Sequence, residues 1–111
     1  HLPKPTKNSD PSWFAFPLTI KSKAPFKRSD ITTFYESNKI QTRTYFAGNI
    51  MLQPAYQHLM DAKKIIEEYP IARKVTTDTF FLGTSPVITE EQINYIGEMT
   101  DYYFNTILEN K

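Results

Sequence analysis

The chain contains no cysteine among its 111 residues. Disulfides, thiol nucleophiles and cysteine-held metal clusters are therefore excluded within it. Glycine is scarce, at three residues, and no glycine-rich run follows a strand to open a helix, so no phosphate-cradling loop is present. The two histidines are His1 and His58. No converging ligand set accompanies them, and no Ser-His-Asp constellation is apparent, so His58 reads as a surface or packing residue. Glu67 and Glu68 are adjacent and point different ways on a helix, which rules them out as an acid/base pair. The formal net charge is +1, without the basic excess of a nucleic-acid binder, and the RNA-recognition-motif signature is unmatched. No apolar run approaches the roughly 20 residues that cross a bilayer, and no signal-peptide pattern is visible. These absences point away from nucleic acid and membrane, and the expected compartment is the cytoplasm.

What is present suits one small globular domain. Hydrophobic residues make up 40% and charged residues 23% of the chain, ordinary values for a folded domain with a modest core. The first residue is His1 rather than Met, which reads as an excised or processed piece. Residues 1–11 carry Pro3, Pro5 and Pro11 among polar residues and read as a linker; residues 12–111 read as the domain. From Ser12 to Ile20, Phe14, Phe16, Leu18 and Ile20 alternate with Trp13, Ala15, Pro17 and Thr19, a strand pattern, and Pro17 makes it an edge strand. Ser29 is the expected cap of a helix with Asp30 in its first turn and Ile31, Phe34 and Tyr35 on one face. Asn38 is the expected left-handed stop. A strand from Ile40 follows, giving one strand–helix–strand crossover unit.

Asp61 to Tyr69 reads as a short helix with Ile65 and Ile66 in its stripe, and Pro70 stops it or starts another carrying Ile71, Ala72 and Val75. Thr79 to Thr84 is a strand ended by Gly83 and Ser85-Pro86. Thr89-Glu90-Glu91-Gln92 is a capping box that opens a last helix. Ile93, Ile96, Met99, Tyr103 and Ile107 form its stripe, with Tyr102 and Phe104 off it. The pattern predicts an α+β fold, a small mainly antiparallel sheet packed by helices.

One stretch stands apart, Ile40 to Tyr56. Arg43 and Tyr45 alternate with Thr42, Thr44 and Phe46 across the two faces of a strand. Ala47-Gly48-Asn49 then makes a turn that allows positive φ. An apolar run and Gln53-Pro54-Ala55-Tyr56 close the segment. A charged strand followed by such a turn can present a binding surface, and it can equally be a strand whose Arg43 faces water. Composition and spacing alone stop at a small α+β domain.

The run Thr42-Arg43-Thr44-Tyr45-Phe46-Ala47-Gly48-Asn49, with Gln53-Pro54-Ala55-Tyr56 behind it, resembles the DegT/DnrJ/EryC1/StrS sugar aminotransferase and dehydratase family. These are pyridoxal-phosphate enzymes of the aspartate aminotransferase fold type. Ala47-Gly48-Asn49 stands where the usual aminotransferase has Pro and His, which is similar to the 3-dehydratase branch acting on CDP-4-keto-6-deoxy sugars in O-antigen biosynthesis. Trp13 to Leu18, Thr79 to Gly83 and Pro86 to Ile96 fall in the family's order, so the resemblance spans nearly the whole chain but only the family's C-terminal small domain.

The resemblance implies a domain that closes one side of a substrate cleft in a parent enzyme. The parent would be a homodimer using pyridoxamine or pyridoxal phosphate, with an iron–sulfur centre in the CDP-sugar branch. No cofactor is assigned to this piece. No residue here matches the branch's catalytic His, so no catalytic residue is assigned and the isolated chain is expected to lack dehydratase activity. The substrate-binding candidates are Arg43, whose planar donors suit a diphosphate or sugar oxygen, and Asn49, which stands where relatives place a sugar-contacting His. Phe46 and Gly48 are expected to shape the cleft wall. The partner implied is a nucleotide-linked deoxysugar. Gly83-Thr84-Ser85-Pro86-Val87 departs from the family pattern of Gly, Tyr-Pro and a second Gly, so sugar and nucleotide stay open. Two further readings stand beside this one, a sugar aminotransferase domain and a stand-alone ferredoxin-like binding module.

Overall fold

The computed structural model describes residues 1–109. The elements are β1 (Ala15–Thr19), α1 (Arg28–Ser37), β2 (Thr42–Thr44), α2 (Ala62–Glu68), α3 (Pro70–Asp78), β3 (Thr79–Gly83) and α4 (Glu90–Glu109), with 3-10 turns at Ile50–Leu52 and Pro54–Tyr56. The strand order is β1-β3-β2, and β3 is antiparallel to both neighbours. β1 and β2 therefore run parallel without touching. The crossover through α1 leaves a gap, and β3 returns to fill it, a split βαβ arrangement. This is the α+β, antiparallel sheet expected of the small domain of the aminotransferase fold.

Both outer strands are shorter than the alternating pattern predicts. β1 pairs on one side only, so Pro17, which has no N–H to donate, costs the ladder nothing. Ahead of it the chain leaves the strand, and the Phe14 ring reaches Phe46 (6.4 Å between centroids) and Phe81 (6.1 Å) instead of joining Phe16 and Leu18. The N-terminal arm folds back on the far end of β1, where the His1 amino group donates to Thr19 O (2.7 Å) and Thr19 N–H returns to His1 O (3.3 Å).

The core lies on one face of the sheet. Phe80 and Leu82 of β3 meet Ile31 and Tyr35 of α1, Ile40 and Tyr103 of α4, with Leu18, Phe26, Phe34, Ile96, Met99 and Ile107 packed around them. Tyr103 sits edge-on to Phe26 (5.5 Å) and tilted on Phe34 (5.0 Å), geometries the ring quadrupole favours. The Tyr35 hydroxyl shares a 2.8 Å hydrogen bond with Thr100 Oγ1 and so ties α1 to α4. Burial raises the Tyr35 pKa, with the Thr100 bond opposing it. Ile93 is the exception in the predicted stripe. It is 58% exposed and lines a shallow apolar depression with Phe16, Pro86 and Ile96 instead of meeting a covering element.

The helix ends show which local signals won. α4 opens with the expected capping box: Gln92 N–H donates to Thr89 Oγ1 (3.3 Å) and Thr89 N–H to Gln92 Oε1 (3.0 Å). α1 starts two residues earlier than the Ser29 cap predicts, at Arg28 with Lys27 as its cap. Asp30 closes that end by accepting from Lys27 N–H (2.8 Å). The Arg28 guanidinium leaves α1 and donates to Thr76 O (2.8 Å) and Thr79 O (3.2 Å), stitching the end of α3 to the start of α1.

At the C-terminus of α1 the left-handed residue is Lys39 (φ 61°), while Asn38 has φ −99°. Ile40 N–H reaches Tyr35 O (2.9 Å) and Lys39 N–H reaches Glu36 O (3.1 Å), the paired bonds of a Schellman motif. Asn38 instead turns its side-chain amide back to Phe34 O (2.8 Å). A lysine therefore holds the position that glycine fills at a lower cost, by roughly 1 kcal/mol.

Candidate functional site

β2 and the turn after it carry the sequence candidates. Arg43 stands opposite Phe81 in the β2–β3 register, and directly paired residues share a face. This face is the one turned away from the core. Phe46 was expected on the opposite side of the strand from Arg43. The strand ends at Thr44, Phe46 takes φ 37°, and this twist carries its ring onto Phe81 (6.3 Å), Phe14 (6.4 Å) and Tyr45 (5.8 Å). The structure thus brings Arg43 and Phe46 to one face. Phe14 and Phe46 are 77% and 75% exposed, an uncovered aromatic platform beside a cation.

Gly48 and Asn49 are placed differently, docked against α3. Thr76 Oγ1 receives Asn49 N–H (2.8 Å) and lies 3.2 Å from Ala47 O and 2.8 Å from Ala72 O. Gly48 has φ +58°, and a Cβ there would meet Thr76 Oγ1 at 2.2 Å, N at 2.6 Å and Cα at 2.7 Å. Only glycine allows so close an approach of turn to helix. Asn49 is buried, and its Oδ1 accepts from Met51 N–H (3.0 Å) to cap the 3-10 turn. Its Nδ2 donor has no partner among the described residues.

The Arg43 side chain makes no ion pair or hydrogen bond among the described residues. Glu36 lies near it, but the Glu36 carboxylate is committed to β2, accepting from Thr42 N–H and from Thr42 Oγ1 (2.8 Å). These two bonds, the backbone one foremost, lower the Glu36 pKa, and the Arg43 charge adds the smallest share. The guanidinium is left free to take an external anion.

Arg43 also lines an open groove of about 780 Å³ at the end of the sheet. Its walls are the Lys39–Gln41 turn, the Gly83–Pro86 turn, the first turns of α4 and the Trp13-Phe14 segment. Two hydrogen bonds hold these walls together. Thr84 Oγ1 donates to Trp13 O (2.7 Å), and the Tyr95 hydroxyl donates to Asn38 O (3.2 Å). Sequence reasoning passed over Thr76, Lys39 and Tyr95. Thr76 and Tyr95 act through tertiary contacts that leave no local signal. The isolated Gly48 was the one available hint of a close backbone approach.

His58 is exposed, and no cluster of three or more potential metal ligands occurs among the described residues. Lys74, the lysine most held by its surroundings, donates to Ile20 O (2.8 Å), Ser22 Oγ (3.3 Å) and Asp78 (2.8 Å). No described lysine or histidine is both enclosed and free to serve as a Schiff-base or proton-transfer group.

Comparison with known proteins gives the family. The model of the DegT/DnrJ/EryC1/StrS aminotransferase family matches residues 1–100. Lipopolysaccharide biosynthesis protein RfbH of Salmonella typhimurium is 33% identical over 103 residues, which is 93% of this chain and 23% of that protein. The dTDP-4-dehydro-2,6-dideoxy-D-glucose 3-dehydratase of Saccharopolyspora spinosa is 40% identical over 97 residues, 87% of this chain and 21% of that protein. The chain spans less than a quarter of the length of either relative. The chain belongs to the DegT/DnrJ/EryC1/StrS aminotransferase family.

Proposed function

We propose that this chain is the C-terminal domain of a pyridoxamine-phosphate-dependent 3-dehydratase acting on a nucleotide-linked 4-keto-6-deoxyhexose, with the CDP-sugar as preferred substrate. The observation that carries the reading is Arg43: an unpaired guanidinium beside an exposed aromatic platform, in a domain similar to a named 3-dehydratase. The similarity to RfbH supports a role in lipopolysaccharide biosynthesis. The parent is a cytoplasmic homodimer.

In this reading the chain works on the substrate side of the cleft. Arg43 pairs its planar donors with the diphosphate or a sugar oxygen. The Nδ2 donor of Asn49 faces a sugar oxygen while its Oδ1 keeps the turn closed. Phe46 excludes water from one wall, and Gly48 lets that wall seat on α3. The described residues do not fit as the holder of the cofactor, because none supplies an enclosed, uncommitted lysine or histidine. Pyridoxamine phosphate would be held by other parts of the parent, and would supply the amine and electron-sink chemistry there. An iron–sulfur centre in the parent would likewise need cysteines from outside this chain, which has none.

The test is product analysis with the intact protein, pyridoxamine phosphate and CDP-4-keto-6-deoxyglucose or its dTDP counterpart. Loss of the C3 oxygen is expected, faster with the CDP-sugar, and this chain alone should give no turnover. An amino sugar as product would instead establish an aminotransferase, the activity in the family's own description. Turnover by the isolated chain would contradict the assignment of catalysis to the missing part.

A further inference from the structure

We propose that the groove between the Lys39–Gln41 turn and α4 holds a nucleoside diphosphate, with Lys39 and Arg43 on the two phosphates and Trp13 and Tyr95 bounding the base. This rests on the reading of the chain as a nucleotide-sugar domain and deepens it by dividing the site. Phe46, Gly48 and Asn49 are not among the groove's lining residues, so they are left for the sugar, and Arg43 stands between the two parts.

Four observations carry it. The first is charge. Lys39 and Arg43 are the ionisable groups of formal charge that line the groove, and no Asp or Glu lines it. Neither cation makes an ion pair among the described residues, and the nearby Glu36 is engaged by Thr42. The second is chemistry. Trp13, Phe14, Phe81 and Tyr95 all line the groove, and aromatic faces beside a cationic track suit a base followed by phosphates. The third is size, since about 780 Å³ falls within the roughly 300–1,000 Å³ of small-ligand sites.

The fourth is conformational. Lys39 occupies the left-handed position of the Schellman turn (φ 61°), where glycine is the less strained residue. A residue kept in an unfavourable conformation calls for a compensating role. Here the strained residue is one that lines the groove together with Arg43. The turn itself is fixed by Ile40 N–H to Tyr35 O and by the Tyr95 hydroxyl on Asn38 O, so the cation is presented from a rigid base.

The sole tryptophan of the chain lines the groove, and its fluorescence reports directly on occupancy. The experiment titrates the 111-residue chain with CDP, dTDP, cytidine and inorganic pyrophosphate. Saturable quenching by CDP or dTDP is expected, with affinity falling as salt is raised. Cytidine and pyrophosphate should each bind at least about tenfold more weakly than the nucleotide, as expected when either half of the contacts is lost. Lys39→Gly should weaken CDP about tenfold or more while leaving the chain at least as resistant to urea, which separates lost binding from lost folding.

Three results would overturn the proposal: no quenching at millimolar nucleotide, pyrophosphate binding as tightly as CDP, or Lys39→Gly binding like the parent chain. Any of these alongside a 3-deoxy product from the intact protein would remove the groove assignment and leave the dehydratase reading standing. Nucleotide-dependent quenching alongside an amino-sugar product would do the reverse.

Discussion

Replacing Gly48 by alanine tests how the site is built. The new Cβ would stand 2.6 Å from Thr76 N and 2.7 Å from Thr76 Cα as well as 2.2 Å from its hydroxyl. Two of these three atoms are helix backbone and cannot rotate away, so the turn must lift from α3. Holding alanine at φ +58° costs roughly 1–2 kcal/mol. Overpacking adds about 1–3 kcal/mol, and the hydrogen bonds of Thr76 to Asn49 N–H and Ala47 O are stretched as the turn moves. Gly48→Ala should therefore lower stability by roughly 2–5 kcal/mol, read as a lower midpoint in urea denaturation followed by far-ultraviolet circular dichroism. Gly97→Ala is the control with the opposite sign. A Cβ at Gly97 meets nothing within 4 Å, and alanine inside α4 should stabilise by roughly 0.5–1 kcal/mol. Adding Thr76→Ala to Gly48→Ala should not restore stability, because the backbone contacts remain. A Gly48→Ala midpoint within about 0.5 kcal/mol of the parent, or full rescue by Thr76→Ala, would refute the reasoning.

Other outcomes follow from the packing. Ile65 of α2 is 0% exposed and Ile93 is 58% exposed, so Ile65→Ala should cost roughly 2–5 kcal/mol and Ile93→Ala less than about 1 kcal/mol; equal urea midpoints would contradict this difference in burial. Burial raises the Tyr35 pKa above its ordinary 10.0, and burial foremost also raises that of Tyr103. The unfolded chain then releases these protons before the folded one does. Stability should hold below pH 10.0 and fall as pH rises beyond it. Tyr35→Phe should remove about 1 kcal/mol at neutral pH by losing the Thr100 bond and should flatten the alkaline fall; an unchanged alkaline limb would show that Tyr35 does not contribute to it.

The fold was legible where signals are local. The capping box at Thr89, the proline that opens α3 and the turn after β3 all act within four residues of themselves, and each stands where the pattern puts it. Errors arose where a tertiary contact outbid a local preference. Ser29 is a good cap in isolation, yet Asp30 reaching back to Lys27 N–H starts α1 earlier. Asn38 is the better left-handed residue, yet its side chain is spent on Phe34 O and Lys39 takes the position. The strand period assigns Phe14 to the core face and Phe46 away from Arg43, but it holds only while the strand lasts. Phe14 lies before β1 and Phe46 after β2, and both turn to Phe81. Of the candidate site, Arg43 and the Gly48-Asn49 turn were visible as residue types in an unusual order. Their division between an exposed platform and a seat on α3 depends on Thr76, 27 residues from Asn49, and no spacing rule reaches that far.

The most direct measurement is steady-state kinetics of Arg43→Ala in the intact protein with CDP-4-keto-6-deoxyglucose. Arg43 is exposed and unpaired, so the variant should fold as the parent does. Losing a guanidinium–anion contact should raise KM about tenfold or more, with kcat changed much less, because the proposed contact is with a phosphate remote from the C3–O bond. An unchanged KM would contradict the account, and with it the claim that this face of the domain meets the substrate.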